Sequence, residues 1–147
     1  MGYIKSVFCS IATIPVFYIT AVLFGAPLLS NFDDTFVFSA VLALFASFPL
    51  FYSTNGDFDQ LCDIVLDYNF SSKSQYFAHR CAVGSLAGAW LGAIVIPLDW
   101  DRWWQKWPIP CLFGIFIGAL LGLLVAQIQL YFGWGKASRF KRHFKII

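Results

Sequence analysis

The sequence predicts an all-α, polytopic membrane protein with about four transmembrane helices, the C-terminal pair forming a glycine-ladder hairpin. Three observations carry that prediction. The 147 residues are 59% hydrophobic and only 12% charged, with no glutamate, whereas a soluble domain is about a quarter charged. Several uncharged runs are long enough to cross a bilayer. Finally, Gly84, Gly88 and Gly92 recur every four residues, as do Gly114, Gly118 and Gly122. That spacing clears one face of a membrane helix so that a second backbone can approach it closely.

Taken in order, the first run extends from about Val7 to Leu29 and contains Pro15. It exceeds the roughly 7–15 apolar residues of a signal peptide core and reads as an uncleaved span. The second run is Thr35 to Ser53, the third Cys81 to Leu98 and the fourth Pro110 to Phe132. At about 1.5 Å per residue, about 20 residues cross the hydrocarbon core, so the second and third are near the lower limit. Residues 1–147 thus read as a single integral-membrane domain with a basic tail over 133–147.

Lys and Arg set the orientation. With four spans, Lys5, Lys73, Arg80, Lys136, Arg139, Lys141, Arg142 and Lys145 all fall on one side, and only Arg102 and Lys106 on the other. Both termini are therefore expected in the cytosol. The turn Asn31–Asp34 and the Trp-rich loop face the opposite side.

Between spans two and three, Phe58, Leu61, Cys62, Val65 and Leu66 mark one face of a short helix, with Asp57, Asp59, Asp63 and Asp67 on the other side. Thr54, three residues before Asp57, serves as an approximate start signal. The apolar face is expected to pack on the spans or on a partner; a plain connecting helix is the alternative. Asn69-Phe70-Ser71 fits a glycosylation triplet, but the charge rule places it in the cytosol. The tail reads as a positive-inside anchor, or as a retrieval signal resting on Lys145. Cys9, Cys62, Cys81 and Cys111 form no C-x-x-C pair and read as small apolar packing residues.

The two glycine ladders flank the segment Pro97-Leu-Asp-Trp-Asp-Arg-Trp-Trp-Gln-Lys-Trp-Pro108. Packed antiparallel, with Pro97 and Pro110 at equal depth, they would pair Gly92 with Gly114, Gly88 with Gly118 and Gly84 with Gly122. One ladder could instead face a helix of another subunit. Indoles suit the headgroup layer, and Trp with Arg also dominates binding hot spots. Asp99, Trp100, Asp101, Arg102, Trp104 and Trp107 are accordingly the candidate partner-binding residues. An exposed ion-pair cluster flanked by anchoring tryptophans is the simpler reading.

Catalytic patterns are lacking. His79 and His143 stand apart, and no H-x-x-x-H, C-x-x-C or nucleophile elbow appears. Asp33, Asp34, Asp99 and Asp101 share one side but bring no imidazole with them. No catalytic residue, metal site, cofactor or nucleic-acid partner is expected. The span interiors hold no Asp, Glu, Lys or Arg, which disfavours a transporter. Two alternatives stay open: a small phosphotransferase using those aspartates, and a lipid-binding membrane protein.

Gly88-Ala-Trp-Leu-Gly-Ala, Ile96-Pro-Leu-Asp-Trp-Asp-Arg and Trp104-Gln-Lys-Trp-Pro together resemble the phosphatidylinositol-glycan class F family. Gly25-Ala-Pro-Leu and the Thr35-Phe-Val-Phe-Ser-Ala-Val-Leu run with Pro49 extend the resemblance to roughly residues 16–132. Trp103 stands where the family usually has proline. Typical members have about six spans, and this chain carries counterparts of the last four. The resemblance implies a non-catalytic subunit of the endoplasmic reticulum. It would stabilise the large catalytic transferase that adds phosphoethanolamine to a mannose of the glycosylphosphatidylinositol (GPI) precursor, with membrane lipid around it.

Overall fold

The computed structural model describes residues 2–27, 30, 32–98 and 100–132. Asn31, Asp99 and the basic tail lie outside these, and with them the expectations placed on them. Among the described residues every regular element is helical. Three helical stretches are long and apolar enough to cross a membrane: Gly2–Leu23, Phe32–Ser53 and Ile109–Tyr131.

The first stretch is two helices, α1 (Gly2–Ala12) and α2 (Ile14–Leu23). Pro15 sits in the first turn of α2, where its missing N–H costs least. That places the break at Thr13, whose N–H turns back to the Ser10 carbonyl at 3.2 Å. The helix starts five residues before Val7 and stops at Leu23, since Gly25 adopts φ +100°, a left-handed conformation favoured by glycine.

The second stretch is α3 (Phe32–Leu42), a π-helical turn over Ala43–Ser47, and α4 (Phe48–Ser53). Pro49 explains the irregularity. It has no N–H to offer the carbonyl of Phe45, four residues back. The Cys81 thiol of the neighbouring helix donates to that carbonyl at 3.5 Å.

Helix α5 (Phe58–Val65) is capped by Asp57, whose carboxylate accepts from the Asp59 N–H at 3.1 Å. Asp57 itself is the cap, so the start signal assigned to Thr54 is corrected. The expected apolar face meets the spans in part, Phe58 lying edge-to-face with Phe51 at 5.7 Å. Phe58, Val65 and Leu66 are exposed, and Ile64 is the residue that α5 buries. Ile64 packs with Phe70, Tyr76 and Ala126, a contact that the periodic stripe did not include.

The long helices α6 (Lys73–Ile94) and α7 (Ile109–Tyr131) form an antiparallel pair. Helix α6 begins eight residues before the expected Cys81. Ser72 caps it, its Oγ accepting from the Gln75 N–H at 3.3 Å, and the Gln75 side chain accepts from the Ser71 N–H at 2.8 Å. The S-x-x-Q spacing is legible in the sequence, with the glutamine reaching Ser71 one residue before the cap. The extension brings Lys73, Gln75, His79 and Arg80 into the helix, and α6 is less apolar than the three stretches named above.

The α3–α4 stretch is central. Helices α1 and α2 pack on one side of it, and α6 and α7 on the other. Ala21, Phe38, Leu42, Ala46, Ala82, Ala89, Cys111 and Ile115 form the main core. Small residues let the helices close up in a solvent that supplies no hydrophobic drive. Ser6, Ser39 and Ser85 are buried, and each returns its hydroxyl to the carbonyl one turn back, at 2.7–2.9 Å. Cys81 and Cys111 are buried, Cys9 is half-buried and Cys62 is exposed; all four are free thiols.

Candidate docking surface on the glycine hairpin

The α6–α7 contact is the most extensive in the chain, and its geometry is backbone against backbone. A Cβ placed on Gly88 would fall on the Gly114 carbonyl and lie 3.1 Å from the Gly118 Cα. One on Gly84 would fall on the Gly118 carbonyl, and one on Gly122 on the Arg80 carbonyl. Gly92 meets Pro110 in the same way. The two ladders therefore face each other within one chain, Gly88 sitting between Gly114 and Gly118 and Gly84 between Gly118 and Gly122, an offset of less than one helical turn from the matching-depth register. The reason lies at the turn. Helix α6 ends at Ile94, and Val95–Leu98 forms tight turns, the Leu98 N–H reaching the Val95 carbonyl at 3.2 Å. Depth is thus set by Ile94 and Ile109, not by Pro97 and Pro110. Gly88 is six residues before the one and Gly114 five after the other.

A glutamine absent from the candidate residues organises the connecting loop. Gln105 is 7% exposed. Its Nε2 donates to the Val95 carbonyl at 3.0 Å and to the Leu98 carbonyl, and its Oε1 accepts from the Arg102 N–H at 3.1 Å. One amide thus satisfies three backbone groups, which polar groups beside a membrane require. The signal for it was a lone neutral polar residue amid tryptophans, a weak one.

The loop tryptophans divide into two sets. Trp107 turns inward: its Nε1 donates to Thr35 Oγ1 at 3.1 Å, and its ring lies 4.9 Å from that of Phe38. It is spent on the chain's own core. Trp100 and Trp103 are 57% and 71% exposed, and Asp101 and Arg102 are exposed beside them. Trp104 is half-buried, edge-to-face with Trp100 at 5.9 Å. Asp101 sits at φ +48°, a conformation aspartate tolerates better than most side chains. Among the described residues, Asp101, Arg102 and Lys106 make no ion pair, so the expected ion-pair cluster is not formed by them. No group of three His, Cys, Asp or Glu capable of holding a metal occurs among the described residues.

The loop is therefore an exposed Trp100–Trp103 edge, fixed from beneath by Gln105 and Trp107 and carried on a helix pair whose register side chains cannot alter. Such a surface can bind.

Residues 2–127 match the GPI biosynthesis protein family Pig-F. "Glycosylphosphatidylinositol anchor biosynthesis protein 11" of Neurospora crassa is 41% identical over 138 residues, covering 90% of this chain and 46% of that protein. The human "GPI ethanolamine phosphate transferase, stabilizing subunit" is 31% identical over 130 residues, covering 88% of this chain and 59% of its own length. A Yarrowia lipolytica protein with the same name as the Neurospora one is 41% identical over 103 residues, 70% of this chain and 44% of that one. The chain spans about half the length of these relatives, and no solved structure matches it. By a match covering most of its length, the chain belongs to the GPI biosynthesis protein family Pig-F.

Proposed function

We propose that this chain is a non-catalytic, stabilising subunit of a GPI ethanolamine phosphate transferase in the endoplasmic reticulum membrane. The human and mouse relatives carry the name of such a stabilizing subunit. The observation that carries the reading furthest is the braced, exposed edge of Trp100, Asp101, Arg102 and Trp103. Rigid aromatic and arginine side chains make good anchors because little entropy is lost when they dock. Asp99 completes the edge by its place in the sequence, and Trp104 supports it from the groove side. Trp107 braces this edge and does not contact the partner itself.

In this reading the partner holds the catalytic centre and transfers phosphoethanolamine to a mannose of the GPI precursor. The present chain contributes a fixed platform at the lumenal face, and both of its termini are cytosolic. The glycine seam determines where that platform sits, so Gly84, Gly88, Gly92, Gly114, Gly118 and Gly122 act on the partner indirectly.

The test is co-purification of the tagged chain from membranes in mild detergent, with quantitation of the transferase subunit recovered. Substituting Arg102→Ala with Trp103→Ala should leave the level of this chain unchanged and reduce partner recovery at least about tenfold, in the range of hot-spot losses. Unchanged recovery would overturn the docking assignment.

A further inference from the structure

The seam between α6 and α7 is open along one side, where an apolar groove of about 600 Å³ runs from Arg80 to Trp104. Its floor is the glycine backbone, and its walls include Val83, Leu91, Phe113, Ile117 and Leu121. From Arg80 to Gly92 is twelve residues, or about 18 Å of helix. The groove is long, narrow and open outward.

Arg80 makes the groove more than an apolar seam. Its Nε is buried and has no hydrogen-bond partner among the described residues. Its guanidinium carbon lies 5.3 Å from the centre of the Tyr76 ring, so one face of the cation is covered while its donor edge is unfilled. The Tyr76 hydroxyl, in turn, is bonded to the Gln129 side chain. No carboxylate pairs with Arg80 among the described residues. A half-buried arginine whose Nε is buried without an acceptor, at the edge of an apolar groove, is costly in a low-dielectric surrounding unless an anion arrives at its guanidinium. Arginine's planar fork is suited to a phosphate.

We propose that this groove binds one glycerophospholipid, its phosphodiester on Arg80 and one acyl chain lying along the glycine floor toward Trp104. An apolar transmembrane helix laid in the same groove would leave the Arg80 charge without a counter-ion. A phospholipid brings negative charge and several acceptor oxygens to that end, and a flexible chain to the rest. The position of Arg80 fits: it lies seven residues, about 10 Å, from the start of α6, within reach of a headgroup drawn slightly inward.

The full chain, reconstituted in phosphatidylcholine nanodiscs, is photolabelled with phosphatidylcholine bearing a diazirine in its acyl chain, and labelled peptides are mapped. Label should concentrate at Leu91, Ile117 and Leu121 over the exposed α1 residues Ile4 and Phe8. Arg80→Gln should lower groove labelling about tenfold, the scale of losing a charge-assisted hydrogen bond, while Arg80→Lys retains most of it. A diazirine diacylglycerol, which lacks the phosphate, should label the groove no more than α1. Ala87→Phe, placed on an exposed groove wall away from the seam, should also lower groove labelling while helical content is unchanged. Even labelling of groove and α1, or groove labelling indifferent to Arg80→Gln, would overturn the proposal. So would capture of a partner polypeptide by Leu121→Cys cross-linking in the assembled complex, which would assign the groove to a helix.

Discussion

The two halves of this molecule solve helix packing by opposite means. Helices α6 and α7 meet through six glycines, and a Cβ at any of them would fall on the opposing main chain. Helices α1–α4 meet through alanine, serine and aromatic side chains, with Ser6 donating to its own helix and to the Phe51 carbonyl, both at 2.9 Å. They also tolerate a break at Thr13 and a π turn over Ala43–Ser47. A side-chain interface can repack when one residue changes; a main-chain interface has nothing that can move aside. The hairpin is therefore specified by the absence of side chains, and the N-terminal half by their mutual fit.

The largest effect should fall on the seam. Gly88→Ala is expected to destabilise the purified chain by about 3 kcal/mol or more, the upper end for overpacking, read from its midpoint in a denaturing-detergent titration. Gly88→Leu should additionally lower the cellular level of the proposed transferase partner. A cost under about 1 kcal/mol for Gly88→Ala would erase the contrast between the halves.

Gln105→Leu comes next, at about 2 kcal/mol, because it leaves the Arg102 N–H without its acceptor and removes one of the two hydrogen bonds at each of the Val95 and Leu98 carbonyls. Protease cleavage within residues 95–108 should rise accordingly.

Trp107→Phe keeps ring packing on Phe38 and loses the bond to Thr35. About 1 kcal/mol is expected, and combining it with Thr35→Val should be non-additive. The smallest effect belongs to the N-terminal half. Ser39→Ala removes a hydroxyl bonded only to its own helix at 2.8 Å and should stay within about 0.5 kcal/mol. A larger value would show that this half is as finely fitted as the seam.

Legibility in the sequence followed the same division. Glycines at intervals of four announce a close helix contact because only one physical arrangement needs them, and residues 84–122 could be read as a hairpin on that ground. Register was legible only to within a turn. It depends on where α6 stops, and the helix ends at Ile94, before Pro97, the residue that looks like the stop. Helix α5 was legible in part: its periodic stripe of Phe58, Val65 and Leu66 identified a helix correctly, but amphipathicity does not single out Ile64 as the residue that α5 buries. Gln105 and Trp107 were indistinguishable from their neighbours, because a residue holding a loop together and one presented to a partner have the same composition.

The polar first turns of α6 carry one more consequence, for the order of synthesis. Lys73, Gln75, His79 and Arg80 leave α6 less able to enter lipid alone than α7, which follows it. Its small-residue face is buried only when α7 has been made and folds back along it. The hairpin, rather than α6 alone, is then the expected unit of insertion, which comparing insertion of α6 with and without α7 would test.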